Sequence, residues 1–282
     1  MSIFDPLGFL IPITIQARLL MQCIWSKEVQ WDEVIPELEF KQWHEWLQVL
    51  EKIKTVKISR CYQLPNFQNN KAELHVFCDA SSRAYGAVAY WRFDLGNGNF
   101  YITFIIAKNR VVPSKTNTTI PRLELQAALI AVRLAETIMA EHEFEVTRRV
   151  FWSDSKIVLS WINKDSNDFK IFVANRIQEI REKSKTYEWR WVSSENNAAD
   201  DASKYRPSAT ENNSRWLLGP SFLYEHERFW EISTLSEEME NENEELQCVI
   251  LRTSLIEDLI DFSRFSSWLR VISAVAMVLE AK

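Results

Sequence analysis

The stretch that decides the fold is ELHVFCDASSRAYGAVAYWRFDLGNGNFYITFIIA, at residues 73–107. Three segments rich in β-forming residues follow one another in it: 73–79, 85–93 and 100–107. The Gly- and Asn-rich turn LGNGN, at 95–99, joins the second segment to the third. Strands with such short connections predict an antiparallel meander.

Helical and strand patterns alternate after this meander. Pro121 opens the helix PRLELQAALIAVRLAETIMAE, whose apolar residues recur at helical spacing. RRVFWSD predicts a fourth strand, ending at Asp154, and YEWRWVS predicts a fifth strand over 187–193. Further helices are expected over 155–163, 168–184 and 197–205. This order predicts an α/β domain.

The flanking segments differ from this block in composition, and we place domain boundaries on that basis. From Pro36, ELEFKQWHEWLQVLEKI predicts a helix with Phe40, Trp43 and Leu47 on one apolar face. The polar stretch RCYQLPNFQNNKA precedes the first strand and indicates a linker. We expect three parts: a helical segment over 1–72, an α/β domain over 73–207, and an acidic linker with a C-terminal helix over 208–282.

Composition excludes several classes of protein. The chain has 282 residues, 46% of them hydrophobic, so it can bury a core. It contains 5 glycines and no Gly-rich phosphate-binding motif. The four cysteines and four histidines form no CxxC or HxxxH pattern, which argues against structural zinc and a disulfide framework. Charges and prolines interrupt the apolar N-terminus, so no membrane span is expected.

Charge is unevenly distributed along the chain. The net charge is −6, but residues 225–245 hold nine Glu and one Arg. Residues 146–191 hold ten Lys or Arg against six Asp or Glu. A modest basic region of this kind is compatible with a phosphate-backbone partner, and solvated helix faces are the alternative explanation.

Four carboxylates stand where strands end or helices begin. Asp79 and Asp154 end strands, Glu124 lies in the first turn of the long helix, and Asp200 or Asp201 begins the last helix. Carboxylates gathered at one sheet edge repel one another and need cations, and oxygen ligands favour Mg²⁺ or Mn²⁺. Two such ions about 4 Å apart would support phosphodiester cleavage. The chain has 39 acidic residues, so spacing alone leaves surface carboxylates as the alternative.

Several strings resemble a known family. The ordered set is CDASSRAYGAVAYW, TTIPRLELQAAL, FWSDSKIVLSWI and ENNAADDASK. Together they resemble the ribonuclease H domain of long-terminal-repeat retrotransposon polyproteins, most closely those of the BEL/Pao group. FDPLGFLIPITIQARLLMQCIW resembles the family's connection from reverse transcriptase to ribonuclease H. RWLLGPSFL and SRFSSWLRVISAVAMVL resemble its linker toward integrase.

This resemblance implies a fold, an activity and a site. The implied fold is ribonuclease H-like, with a mixed five-stranded sheet flanked by helices and an N-terminal helical connection. The implied activity is hydrolysis of the RNA strand of an RNA–DNA hybrid with two Mg²⁺ or Mn²⁺ ions. The implied metal-binding and catalytic residues are Asp79, Glu124, Asp154 and Asp200. Asp200 is preferred to Asp201 because it is the Asp of the family's AD pair.

The resemblance also implies a setting. Reverse transcriptase and integrase segments of the same polyprotein are the expected protein partners. The Cys and His spacing and the interrupted N-terminus predict, in addition, no role for zinc or a membrane. We expect a cytoplasmic location, including virus-like particles, and leave the nucleus open.

One departure from the family pattern concerns the loop before the last Asp. Many ribonucleases H carry a His there, whereas this chain has VSSENNAA at 192–199. Glu195 is a partial substitute or simply a solvated residue. Ser81, Asn175 and Arg176 are further candidates for substrate binding, with a turn residue and a solvated helix face as the alternatives.

Two other functions stay open at this point. One is a catalytically inactive connection module that binds nucleic acid. The other is an aspartic peptidase, since segments of this kind also carry a peptidase label. Aspartic peptidases need two Asp in DTG or DSG turns, and the nearest strings, DAS at 79–81 and DSK at 154–156, lack the Gly.

Overall fold

A mixed five-stranded sheet organises the chain. The computed structural model describes residues 3–53, 56–63, 70–114, 118–164, 169–211 and 213–230. The strands are β1 (Lys71–Ala80), β2 (Ala84–Gly96), β3 (Asn99–Val111), β4 (Glu145–Ser153) and β5 (Trp189–Trp191). The helices are α1 (Ile11–Ser26), α2 (Glu37–Ile53), α3 (Ile120–Glu141), α4 (Lys156–Asn163), α5 (Ile171–Lys183), α6 (Asp200–Ser203) and α7 (Arg215–Leu218).

The strands are arranged in the order β3-β2-β1-β4-β5. β1, β2 and β3 pair antiparallel, as the meander predicts, whereas β4 runs parallel to β1 and to β5. The tight turn before β3 uses Gly96, Asn97 and Gly98, all three with positive φ. The predicted α/β fold with a mixed five-stranded sheet flanked by helices is confirmed.

Both faces of the sheet are covered. A parallel neighbour needs a crossover, and α3 supplies it between β3 and β4 while packing on β1 and β2. Helix α5 packs in turn on α3. On the other face, Phe77, Tyr90 and Trp152 belong to a core cluster that receives residues from α1, α6 and the segment 209–230.

The predicted boundary after residue 207 is not marked by a break in packing. Trp216 and Leu223 are fully buried and Trp230 nearly so, in the same core cluster as the sheet residues. The N-terminal segment is also attached to the sheet, since Ala107 N–H donates to the Leu7 carbonyl at 2.9 Å. The predicted acidic linker beyond residue 230 and the C-terminal helix lie outside the described residues.

Helix α2 forms where the sequence predicts it but buries a different face. Phe40, Trp43 and Leu47 are exposed, whereas Glu39 and Trp46 are buried. Trp46 Nε1 donates to the Ile13 carbonyl at 2.9 Å, which fixes the orientation of α2 against α1. The apolar face that the spacing predicts is therefore turned to solvent, and a polar contact with α1 orients the opposite side of the helix. Within the ranges given above, no helix has the length and apolarity needed to cross a bilayer.

Candidate active site

Asp79 and Asp154 lie at neighbouring ends of parallel strands. In the β1–β4 register Cys78 pairs with Ser153, so the acidic residue next in each strand comes at the same sheet edge. Adjacent strands are about 4.8 Å apart, which brings the two backbones close. Asp79 is buried and Asp154 is half-buried. The sheet topology therefore brings together two acidic residues that are far apart in sequence.

Glu124 reaches the same edge from the first turns of α3. Its Oε2 accepts a hydrogen bond from Ser155 Oγ at 2.7 Å. Ser155 follows Asp154 and caps α4, because its Oγ also accepts from the Val158 N–H at 3.2 Å. One serine therefore links the third acidic residue to the end of β4.

Two more serines hold the aspartates. Ser203 Oγ, on α6, donates to Asp79 Oδ2 at 2.6 Å, and Ser194 Oγ donates to Asp154 Oδ2 at 2.7 Å. The indole Nε1 of Trp191 donates to the Asp154 carbonyl at 3.1 Å. The carboxylates of Asp79, Glu124 and Asp154 thus each accept one hydroxyl, which orients them.

Asp200 is held differently from the other three acidic residues. Arg206 contacts its Oδ2 at 2.6 Å, and Lys204 Nζ contacts its Oδ1. Asp201, with 2% of its surface exposed, is bound by Arg215 and Arg206 through both carboxylate oxygens. Asp200 and Asp201 thus share the ion pairs of Arg206 and Arg215, and the charge of Asp200 also acts on Asp79.

Burial and mutual repulsion shift the pKa values at this edge. Burial, together with the charges of Asp154 and Asp200, raises the pKa of Asp79 to about 7, against the lowering effect of the Ser203 hydrogen bond. Burial, with the Asp154 charge, also raises the pKa of Glu124. The edge thus carries negative charge that the protein compensates incompletely.

The donor chemistry of this edge fits a hard divalent cation. All four acidic residues supply carboxylate oxygens, and the raised pKa of Asp79 marks a place where a cation would relieve repulsion. In the described part of the chain, no group of three or more His, Cys, Asp or Glu is arranged to hold a metal ion as it stands. The oxygens are directed to serine hydroxyls and basic side chains, and binding would require these to yield.

The other predicted substrate-binding residues lie in two separate places. Ser81 stabilises the β1–β2 turn: its Oγ accepts from the N–H groups of Arg83 and Ala84 and lies 3.1 Å from the Ser203 carbonyl. Arg176 stacks its guanidinium on the Phe172 ring at 3.5 Å, and Asn175 is exposed beside it on α5.

The Phe172 ring connects Arg176 to the acidic edge. The Arg122 guanidinium, two residues before Glu124, lies 5.1 Å from this ring. Arg176 is thereby placed next to the start of α3, whereas Ser81 belongs to the turn that follows Asp79.

The loop 192–199 contributes contacts that sequence reasoning missed. Glu195, the suggested substitute for a loop His, has an exposed side chain, whereas Ser194 reaches Asp154. Asn197 Nδ2 donates to the Cys78 carbonyl at 3.0 Å and anchors the loop to β1. The serines that follow the acids in SDS and ADDAS were the available signal for Ser155 and Ser203.

The tryptophans of β4, α4 and β5 differ in burial. Trp152, Trp161 and Trp189 are buried in the core, whereas Trp191 is half-buried near Asp154. Cys78 is buried and without a disulfide.

A mixed sheet of this strand order, with acidic residues converging at the ends of β1 and β4, defines a ribonuclease H-like domain. The family model "Pao retrotransposon-like RNaseH-like domain" matches residues 1–155, more than half of the chain. The chain therefore belongs to the Pao retrotransposon-like family.

Other comparisons add little beyond the family. A solved structure similar to the chain is RNase H1 from the halophilic archaeon Halobacterium salinarum NRC-1, at 15% sequence identity and a TM-score of 0.30. The alignment covers 47% of this chain and 96% of that one. No curated protein matches the sequence.

Proposed function

We propose that this chain is a divalent-metal-dependent endonuclease that hydrolyses the RNA strand of RNA–DNA hybrids. The observation that carries the proposal is the pair of acidic residues at neighbouring ends of β1 and β4, with Glu124 tied to the same edge through Ser155. Membership of a ribonuclease H-like family supports the same reading. The proposed metal-binding and catalytic residues are Asp79, Glu124, Asp154 and Asp200.

The acidic residues would bind the metal ions, and neighbouring serines orient their carboxylates. Two Mg²⁺ or Mn²⁺ ions bound at this edge would activate the attacking water and stabilise the leaving oxygen. Asp79 and Asp154 hold carboxylates at fixed strand ends, and Ser203 and Ser194 restrict their rotation. Because bound cations would relieve the repulsion at this edge and supply the two-metal chemistry, cleavage should depend on them.

Substrate discrimination is proposed to rest on the shape of the hybrid and on the 2′-hydroxyls of its RNA strand. Arg176 and Arg122 share contact with the Phe172 ring close to the start of α3. Their positive charge near the acidic edge suits a phosphate backbone. Ser81 is the weaker candidate, because its hydroxyl is already used within its turn.

The proposed setting is a polyprotein. By the family resemblance, residues 1–72 connect to a reverse transcriptase segment and residues 208–282 lead toward integrase. The cytoplasm, including virus-like particles, is the proposed location.

The test is an assay of the whole purified chain with labelled RNA–DNA hybrid in Mg²⁺, Mn²⁺ or EDTA. We expect cleavage of the RNA strand with either metal, none in EDTA, and none with Asp154→Asn. Asp94→Asn is the matched control, because Asp94 is an exposed carboxylate on β2 whose Oδ1 accepts from the Gly96 N–H, as an Asn oxygen would. Cleavage that persists in EDTA or in Asp154→Asn would refute the proposal.

A second candidate function is binding of the hybrid without cleavage. The contacts of Lys204 and Arg206 with Asp200 favour it, since these bases already neutralise one acidic residue of the site. Hybrid binding that is equal in the wild type and Asp154→Asn, with no cleavage in either metal, would select this function. An aspartic peptidase would act in EDTA and would cut protein instead.

A further inference from the structure

Helix α6, which carries Asp200, is too short to be stable without contacts from other elements. Helix α6 spans Asp200–Ser203, four residues, and a single turn of helix has no stability apart from its packing. Its placement next to β1 must therefore come from contacts with other elements. Besides the bonds of Ser203 to Asp79 and of Ser81 to the Ser203 carbonyl, three further contacts hold α6 and the residues directly after it. Two of these three come from segments outside the sheet and its crossover helices.

The strongest contact comes from α7. Arg215 Nε donates to Asp201 Oδ2 at 2.9 Å, and Arg215 NH2 donates to Asp201 Oδ1 at 3.1 Å, a two-pronged arrangement. The same guanidinium also donates to the Glu195 carbonyl. One side chain thus binds α6 and the loop that precedes it. Asp201 is almost fully buried, so loss of Arg215 would leave a buried carboxylate short of a partner.

The second contact involves the N-terminal segment. Arg206, whose side chain bridges Asp200 and Asp201, donates its backbone N–H to the Pro12 carbonyl at 3.0 Å. Helix α1 therefore fixes the backbone directly after α6.

The third contact approaches α6 from β3. Asn109 Nδ2 donates to the Ala202 carbonyl at 2.9 Å, and Asn109 Oδ1 accepts from Arg18 NH1 at 2.6 Å. Helix α1 is thereby linked to α6 a second time, through Asn109.

We propose that Arg215 and Asp201 are positioning residues that hold Asp200 at the acidic edge, so that the segment after residue 207 completes the site. The inference rests on the proposed function for its consequence, cation binding, but not for the geometry. Asp201 acts as an anchor in this arrangement, because Arg215 and Arg206 occupy both of its oxygens.

A purely electrostatic role and a positioning role of Arg215 predict opposite changes in metal affinity when the residue is removed. Arg215 is a cation whose NH2 lies 3.5 Å from Asp200 Oδ2, so its removal should strengthen binding of a metal cation if charge alone mattered. If Arg215 instead positions α6, its removal should weaken binding. The sign of the change in cation affinity therefore separates the two roles.

The experiment compares Arg215→Gln with Arg149→Gln in the whole chain. Arg149 is the matched control, because this residue of β4 forms the same two-pronged pair with Glu188, directly before β5, at 2.9 and 3.1 Å. Mn²⁺ binding is measured by titration calorimetry without nucleic acid, and backbone hydrogen exchange of residues 196–203 is measured without metal. Arg215→Lys is included because it keeps the positive charge but not the two-pronged hydrogen bonding of the guanidinium. It replaces Arg215→Gln in the comparison if that variant does not fold.

We expect Arg215→Gln to raise the Mn²⁺ dissociation constant and the exchange rates of 196–203 by about tenfold or more, with a smaller rise in Arg215→Lys. Arg149→Gln should leave both within about twofold. Unchanged or tighter Mn²⁺ binding in Arg215→Gln, or unchanged exchange, would overturn the inference. If the wild type binds no Mn²⁺, the proposed function fails, and the exchange rates alone then decide whether Arg215 positions α6.

Discussion

Asp79 should destabilise the metal-free protein at neutral pH, and Asp79→Asn should therefore stabilise it. Its carboxylate is buried at the end of β1, and its pKa is raised to about 7 from an ordinary value of 3.8. Asn keeps an oxygen that can accept the hydrogen bond from Ser203 Oγ. The substitution thus removes the charge while preserving the main contact.

The size of the effect follows from the two pKa values. A pKa that rises from 3.8 to about 7 on folding corresponds to about 4 kcal/mol, at 1.36 kcal/mol for each tenfold change in proton affinity. Relaxation and water entry reduce such penalties, so about 2 to 4 kcal/mol is expected at pH 8.

The two pKa values also determine how the destabilisation by Asp79 changes with pH. Below pH 4 both the folded and the unfolded chain hold the proton, so Asp79 costs nothing. Between pH 4 and 7 the unfolded chain releases it first, and the penalty grows; above pH 7 it is constant. The stability gained by Asp79→Asn should therefore appear between pH 4 and 7.

Urea unfolding of wild type and Asp79→Asn in EDTA from pH 4 to 8 provides the measurement, with Asp94→Asn as the exposed control. Addition of Mg²⁺ should then stabilise the wild type more than Asp79→Asn, because a bound cation relieves the same repulsion. If Asp79→Asn is no more stable than the wild type at pH 8, or if its advantage does not change with pH, the reasoning about repulsion at this edge is wrong.

Three further results are expected from unfolding measurements on the whole chain. Burial lowers the pKa of His75 to about 4, so the folded state resists protonation of this residue. The free energy of unfolding should therefore fall by up to about 3 kcal/mol as the pH drops from 6.5 to 4. A fall of equal size in His75→Gln would contradict this reasoning. Trp216→Ala should lower the free energy of unfolding by about 3 to 5 kcal/mol, because the indole is fully buried and donates to the Phe9 carbonyl at 2.8 Å. A loss below about 1 kcal/mol would show that the segment 209–230 is not part of the folded core. Gly86→Ala should cost about 1 to 3 kcal/mol, since an added Cβ would lie 2.6 Å from the Lys108 carbonyl oxygen, and a neutral substitution would mean that β3 moves aside easily.

Residues close in sequence carried enough information to predict the elements. The β-forming runs before and after LGNGN, and the helical spacing after Pro121, depend on neighbours within one strand or one helix. The ends of the elements were less accurate: β1 starts at Lys71 rather than residue 73, and α6 covers four residues instead of nine. Contacts with the rest of the protein set these ends.

By itself the sequence determined that acidic residues stand at strand ends and helix starts, because that depends only on where each element stops. Only the tertiary structure decided what surrounds them. Ser203 and Asp79 are 124 positions apart, and Arg215 reaches Asp201 from a segment that the sequence assigns to a linker. The exposed aromatic face of α2 has the same cause, since polar contacts with α1 set its orientation. Side-chain partners distant in the chain depend on how the elements pack, and no local pattern encodes that packing.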